Sequence, residues 1–336
     1  MKREFLMLAH KLSESDSIGG WFCSEKLNGM RCFWDGGITR RVKKIDIPWA
    51  NTEKDERYLD TQYCTGLWSR LGNIIHAPAW WLDMLPRIPL DGELWTQRQN
   101  RQTLMRIVKD LDNPNWGPVQ YRVFEMPSLD MIFDGTMLPW GKKARLGPME
   151  SQWLDYLDYA PKPDTPFWVK VDLMREKIPN LAVEQTRLPW SRFDAEPLIE
   201  DMLSKCLDSG IEGYMLRSPD VGYECCRSHR LLKAKPWQTG IGKVIGYTYG
   251  MGKYWGMMGA MIIETQIPNI GSVILELSGF TDQERKLTDP EHLAEECKKP
   301  VRAGVSAIMF PKGSEVKYKY NDTSEDGVPQ EARFMR

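Results

Sequence analysis

The carboxy-terminal hundred or so residues constrain the fold most, because only one period runs through them. From Lys243 onward the chain is a series of short β-type runs broken by glycines, such as Lys243-Val244-Ile245-Gly246-Tyr247 and Ser272-Val273-Ile274-Leu275-Glu276-Leu277. Branched and aliphatic residues alternating with polar ones suit strands that bury one face. Short strands in that number close into a small barrel of about five strands. Pro236 stands just before this change, so a domain boundary is expected near residues 237–242. The resulting division is 1–238 and 239–336. A chain of 336 residues has room for two such domains.

The first third is also β-rich. Trp21-Phe22-Cys23-Ser24 leads through a glycine-containing loop to Cys32-Phe33-Trp34 and the turn Asp35-Gly36-Gly37. That arrangement would hold Lys26 at the rim of a sheet. A polar stretch over residues 39–61 mixes Arg40, Arg41, Lys43 and Lys44 with three carboxylates and reads as a surface insertion. Over residues 196–209 the pattern becomes helical. Leu198, Ile199, Met202, Leu203, Cys206 and Leu207 share a face, and Gly210 is the expected stop. Strands followed by helices and then a barrel define an α+β class.

Composition excludes several alternatives. The 45 basic and 46 acidic residues cancel to a net charge of −1, so any nucleic-acid surface must be a local patch. The seven cysteines are odd in number and lack metal-ligand spacing, which argues against a disulfide framework or a zinc site and for a reducing compartment. No apolar leader or membrane-length run is present, so a cytoplasmic protein is expected.

The chemistry centres on Lys26-Leu27-Asn28-Gly29-Met30-Arg31. A lysine at a strand end could act as a nucleophile, although at neutral pH only about one lysine amine in a few thousand is unprotonated. Nearby cations and desolvation reduce that obstacle, and Lys233-Ala234-Lys235 offers such neighbours. Asp91-Gly92-Glu93-Leu94-Trp95 and Glu212-Gly213-Tyr214-Met215-Leu216-Arg217 supply carboxylates. Tyr121-Arg122-Val123-Phe124-Glu125 supplies a ring that could stack on a base. Together they form a nucleophile, two carboxylates for ribose and metal, a stacking ring, and two phosphate-binding cations.

In that order, residues 26–31, 91–95, 121–125, 212–217 and 231–236 resemble the five motifs of the covalent nucleotidyltransferase superfamily. The nearest likeness is to the minimal ATP-dependent DNA ligases of bacteria and phages. Leu67-Trp68-Ser69-Arg70-Leu71-Gly72 resembles the family's additional Ser-Arg motif. Gly250-Met251-Gly252-Lys253-Tyr254 and Ser278-Gly279-Phe280-Thr281-Asp282 resemble parts of its barrel. The resemblance implies a nucleotidyltransferase (adenylation) domain with antiparallel sheets and helices, followed by an OB-fold β-barrel.

It further implies that Lys26 takes AMP from ATP. Arg31 and Arg70 would contact the ribose–phosphate region or the nick, Glu93 the ribose, and Ser24 the adenine edge. Phe124 would stack on adenine, Glu212 with Glu93 would hold magnesium (or manganese), and Lys233 and Lys235 would meet the α-phosphate. The partner would be nicked double-stranded DNA, sealed by a monomer during replication or repair, with Arg40, Arg41, Lys43 and Lys44 touching the duplex. The family usually has aspartate where Asn28 stands, which removes a charge from the site. The C-terminal segment matches the family's terminal arginine motif only loosely, with Arg333 or Arg336 offered to the pyrophosphate. The alternatives are an RNA ligase or a capping-type guanylyltransferase, which share the lysine chemistry, and a nick-binding protein impaired by Asn28.

Overall fold

A computed structural model describes residues 5–336 except 14, 52–61, 112, 114, 129–131, 133–160, 163, 287–289, 305–308 and 325–326. It divides into two compact units, Met1–Ala234 and Lys235–Arg336.

The first unit carries nine strands among its described residues: β1 (Leu8–Lys11), β2 (Phe22–Glu25), β3 (Met30–Asp35), β4 (Leu67–Ser69), β5 (Pro89–Trp95), β6 (Gln120–Glu125), β7 (Thr186–Arg187), β8 (Tyr214–Arg217) and β9 (Arg227–Ala234). The longer helices among its described residues are α1 (Arg101–Lys109), α2 (Phe167–Lys177) and α3 (Arg192–Ser204). The strands form two sheets, ordered β1-β9-β8-β2-β7 and β4-β3-β5-β6. All pairings are antiparallel except that of β1 with β9.

Period-two alternation explains why the second sheet is covered on both sides. In β3, Cys32 and Trp34 enter a core built with Leu104 of α1 and Phe167 of α2. Phe33 enters a different core with Phe5, Ile47, Trp49 and Trp68. The turn after β3 is held from inside, because the buried Asp35 carboxylate accepts bonds from the Gly37 N–H, the Thr39 hydroxyl and the Trp68 indole.

That second core corrects one expectation. Residues 39–51 are not a surface insertion: Thr39, Lys44, Ile47 and Trp49 are buried. Residues 52–61 of the same stretch lie outside the described ones. The stretch was misread because its charges hide an apolar face that only long-range packing against Phe5 and Trp68 defines.

The helix expected over 196–209 begins earlier and is broken. It runs as α3 and then a separate turn, Cys206–Ser209, and Gly210 (φ 64°) closes it in the left-handed conformation. Ala195, Ile199 and Cys206 are the residues it buries, whereas Leu198 and Leu207 are exposed.

In the second unit β10 (Gln238–Tyr249), β11 (Met258–Ile267), β12 (Gly271–Leu277), β13 (Glu315–Tyr320) and β16 (Arg333–Phe334) form a five-stranded sheet ordered β12-β11-β10-β13-β16. The short β14 (Asp322–Thr323) and β15 (Pro329–Gln330) pair separately. Val244, Met261, Ile263, Leu277, Tyr318 and Phe334 build its core. Residues 238–242, near which the boundary was expected, are strand, paired from Gln238 with Tyr320 to Gly242 with Val316.

Candidate active site

The positions of the reactive groups follow from main-chain pairing. β2 ends at Glu25, and the next N–H, that of Lys26, donates to the Gly213 carbonyl at 2.8 Å. This single bond sets Lys26 beside the residue before Gly213. The Lys26 Nζ lies 2.6 Å from Glu212 Oε2, with each side chain about one-quarter exposed.

The loop from Lys26 into β3 needs Gly29. A Cβ there would stand 2.1 Å from the Leu94 carbonyl oxygen, so no side chain fits. The Gly29 N–H donates to Glu93 Oε1 at 3.1 Å. Arg31 and Glu93 are direct partners across β3 and β5. The Arg31 guanidinium forks onto Asp91, Nε to Oδ1 at 3.0 Å and Nη2 to Oδ2 at 2.6 Å, and lies 5.3 Å from the Phe124 ring centroid. Asp91 is fully buried and also accepts from the Tyr223 hydroxyl at 2.6 Å, which itself accepts from the Met7 N–H at 2.9 Å. Asp91 is thus the fixed anchor that orients Arg31.

Glu93 is the unusual acid. Burial pushes its carboxyl up to about 7, against the pull of Lys26, Arg31 and the Gly29 N–H, and Glu212 adds to the rise. A carboxylate held half-protonated near neutral pH marks a place where a ligand or cation is expected to supply what water no longer does.

These side chains line one cavity of about 340 Å³. Lys26, Ser24, Arg31, Arg70, Glu93, Phe124 and Lys233 all border it, so seven of the sequence-predicted residues converge. Glu212 faces Lys26 from a smaller adjoining hollow that also holds Asn28, Glu25 and Arg98. There Arg98 forks onto Glu25 at 2.9 and 2.7 Å. Lys235 does not border the cavity: β9 ends at Ala234, and Lys235 opens the second unit. The basic run does not border it either. Arg40 pairs with Asp83 at 2.6 Å, and buried Lys44 donates to Gln62 at 3.1 Å, leaving Arg41 and Lys43 as its exposed members. Arg336 forks onto Glu284 at 3.0 and 2.9 Å, a partner the sequence did not suggest.

Sequence reasoning also missed a buried ion cluster against the cavity. Glu125, the residue after Phe124, sits 3.0 Å from Lys170 Nζ and 3.3 Å from Arg217 Nε, and Lys170 is completely buried. Burial alone would raise the Glu125 carboxyl, but Lys170 and Arg217 outweigh it and hold it below its usual range. A signal existed. In α2 the buried positions are Phe167, Lys170, Val171 and Met174, so a lysine occupies the apolar stripe of a helix.

The first unit therefore holds a lysine at the mouth of a cavity between antiparallel strands, and the second is built on a five-stranded antiparallel sheet. Residues 249–336 match the DNA ligase OB-like domain family. Over 98% of its length the chain is 25% identical to a DNA ligase of Haemophilus influenzae, covering 91% of that protein. Among solved structures it is similar to a Lig E DNA ligase, with a TM-score of 0.53 and 24% identity over 98% of both chains. It is also similar to Pmar-Lig_PreS3, with a TM-score of 0.55 and 20% identity over 98% of this chain and 67% of that one. Both units thus fall within a stretch that is similar to DNA ligases along nearly the whole chain.

Proposed function

We infer that the protein is an ATP-dependent DNA ligase that seals nicks in duplex DNA through a lysyl-AMP intermediate on Lys26. The observation that carries this reading is the Lys26 amine, set at a nucleotide-sized cavity within 2.6 Å of Glu212. In the first step the Lys26 Nζ attacks the α-phosphorus of ATP. A nitrogen–phosphorus bond forms, the bond to the β-phosphate oxygen breaks, and pyrophosphate leaves. The amine must shed a proton, and Glu212 Oε2 is within reach to take it. Next, a 5′-phosphate oxygen at the nick attacks the AMP phosphorus and releases Lys26. The 3′-hydroxyl then attacks the activated 5′-phosphate, forming the phosphodiester and expelling AMP.

The residues divide this work by position. Phe124, braced by Arg31, stacks on adenine, and Ser24 meets its edge. Glu93 binds the ribose. Arg31, two of whose nitrogens are held by Asp91, turns its remaining nitrogen to the phosphate or the nick, as does Arg70. Lys233, which borders the cavity, neutralises the α-phosphate. Arg41 and Lys43, with Arg40 and Lys44 behind them, face the duplex.

The donor set also suits a divalent cation. Glu93 and Glu212 are mutually repelling carboxylates, and among the described residues no group of three or more acidic, histidine or cysteine side chains competes for it. One or two carboxylates suit magnesium, which keeps its waters, and manganese could substitute. When bound, the ion neutralises phosphate-oxygen charge during transfer. We place the enzyme in DNA replication or repair, as a cytoplasmic monomer. Among the described residues no helix is long and apolar enough to cross a membrane.

The test is adduct formation. Protein incubated with α-labelled ATP and magnesium should carry an acid-labile adenylate, absent from Lys26→Ala, and should seal a nicked duplex with ATP in preference to GTP or NAD. Lys26→Ala that still takes the label would sink the assignment.

A further inference from the structure

One polar residue on the wall of the nucleotide cavity lies outside all five motifs. Gln185 borders the cavity and is only 4% exposed. Its place follows from register. Gln185 immediately precedes β7, whose Thr186 pairs with Cys23 of β2, so it comes alongside Ser24. Ser24 lies opposite Met215 of β8, and Met215 opposite Lys233 of β9. All four border the cavity, which makes them one row across the sheet, with Gln185 at one end and Lys233 at the other. The main chain at Gln185 is fixed, because its carbonyl accepts from Arg175 Nη2 at 2.7 Å.

The polar groups on this wall are not equally available. Glu125 and Arg217 also border the cavity, but they lie 3.3 Å apart and engage each other, with Lys170 3.0 Å from the same carboxylate. The side-chain amide of Gln185, in contrast, forms no hydrogen bond with any described residue. A buried amide without a partner is costly, and one that opens into a cavity is satisfied by whatever fills it. The amide presents an acceptor oxygen beside a donor NH2. Adenine offers the complement, an amino donor at position 6 beside a ring-nitrogen acceptor.

We propose that Gln185 is a specificity-determining residue that reads the base of the bound nucleotide: its amide oxygen accepts from the adenine 6-amino group, and its NH2 donates to the neighbouring ring nitrogen. The two ends of the row lie three strand spacings apart, about 14 Å. A nucleotide whose α-phosphate meets Lys233 therefore runs along the row and turns the far edge of its base to Gln185. Stacking on Phe124 is satisfied by any purine, so selection among purines falls to that edge. The inference rests on the ligase reading and adds to it the residue that tells adenine from a purine without the amino group.

The experiment compares ATP with purine riboside triphosphate, which lacks only the 6-amino group. Transfer of the nucleotide to Lys26 is followed by intact-protein mass spectrometry over a range of nucleotide concentrations. Wild type should prefer ATP by about 10-fold in kcat/KM. Gln185→Met keeps the length and packing of the side chain but not its polar atoms. In that variant the preference should fall to within about 2-fold of unity, through a higher KM for ATP rather than a slower maximal rate. A purely structural role would weaken both nucleotides alike, and because both are measured on one preparation, their ratio is independent of the fraction folded. A preference for ATP that survives in Gln185→Met, or that is absent from wild type, overturns the assignment and leaves the ligase reading standing. Wild-type protein that takes no adenylate from ATP overturns the ligase reading itself.

Discussion

Replacing Lys170 with methionine probes the buried charge cluster behind the nucleotide cavity. Methionine keeps the apolar stem that packs in α2 and removes the ammonium 3.0 Å from Glu125. Breaking a buried ion pair from one side costs about 3–5 kcal/mol, because the partner stays charged in a poor solvent. Arg217 remains at 3.3 Å from the same carboxylate, which places Lys170→Met near the lower end, about 3 kcal/mol. The loss also has a pH signature. Glu125 is held below its unfolded value of about 4.3. Its stabilisation is therefore present above that pH and is lost as pH falls through the folded pKa. Without Lys170 the folded pKa rises, so the gap between wild type and variant should narrow on acidification from that raised pKa downward. Urea unfolding of the first unit, followed at neutral and acid pH, measures both effects. A double-mutant cycle with Glu125→Gln isolates the pair. A neutral-pH loss under about 1 kcal/mol, or a gap that does not change with pH, would refute this account of the cluster.

Further outcomes are expected near the cavity. Glu93 has a folded pKa of about 7, above its unfolded value, so the stability it confers on the unliganded protein is complete below about pH 4.3 and disappears as pH rises through 7. Glu93→Gln should therefore gain in melting temperature relative to wild type between pH 5 and 8, and a flat difference across that range would show that burial does not control this group. Gly29→Ala forces a methyl to within 2.1 Å of the Leu94 carbonyl. The strands β3 and β5 must separate there, at about 1–3 kcal/mol by overpacking, and the bond from the Gly29 N–H to Glu93 is lost. Weaker ATP binding should accompany the lower stability, as measured by titration calorimetry; wild-type values for both would show that the loop yields without strain.

The sequence by itself determined the strands that carry chemistry and the change of architecture along the chain. The β-type runs Trp21–Ser24 and Cys32–Trp34, the apolar run before Asp91 and the β runs after Lys243 are local signals, because backbone period acts over a few residues. Lys26, Glu93, Phe124 and Lys233 were legible for that reason, and seven of the residues so chosen border one cavity.

The tertiary structure alone decided which charges meet. Nothing near Arg31 in the sequence names Asp91 as its partner, since β3 and β5 are brought together only by sheet pairing. Tyr223 reaches the same carboxylate from the other end of the unit, and its hydroxyl in turn accepts from the Met7 N–H. Lys44 was read as part of a surface insertion and is buried, as is Lys170, whereas Lys319 and Arg333 became neighbours through ladder register. Electrostatic free energy depends on distance and burial, and both are set by long-range packing that no local period encodes.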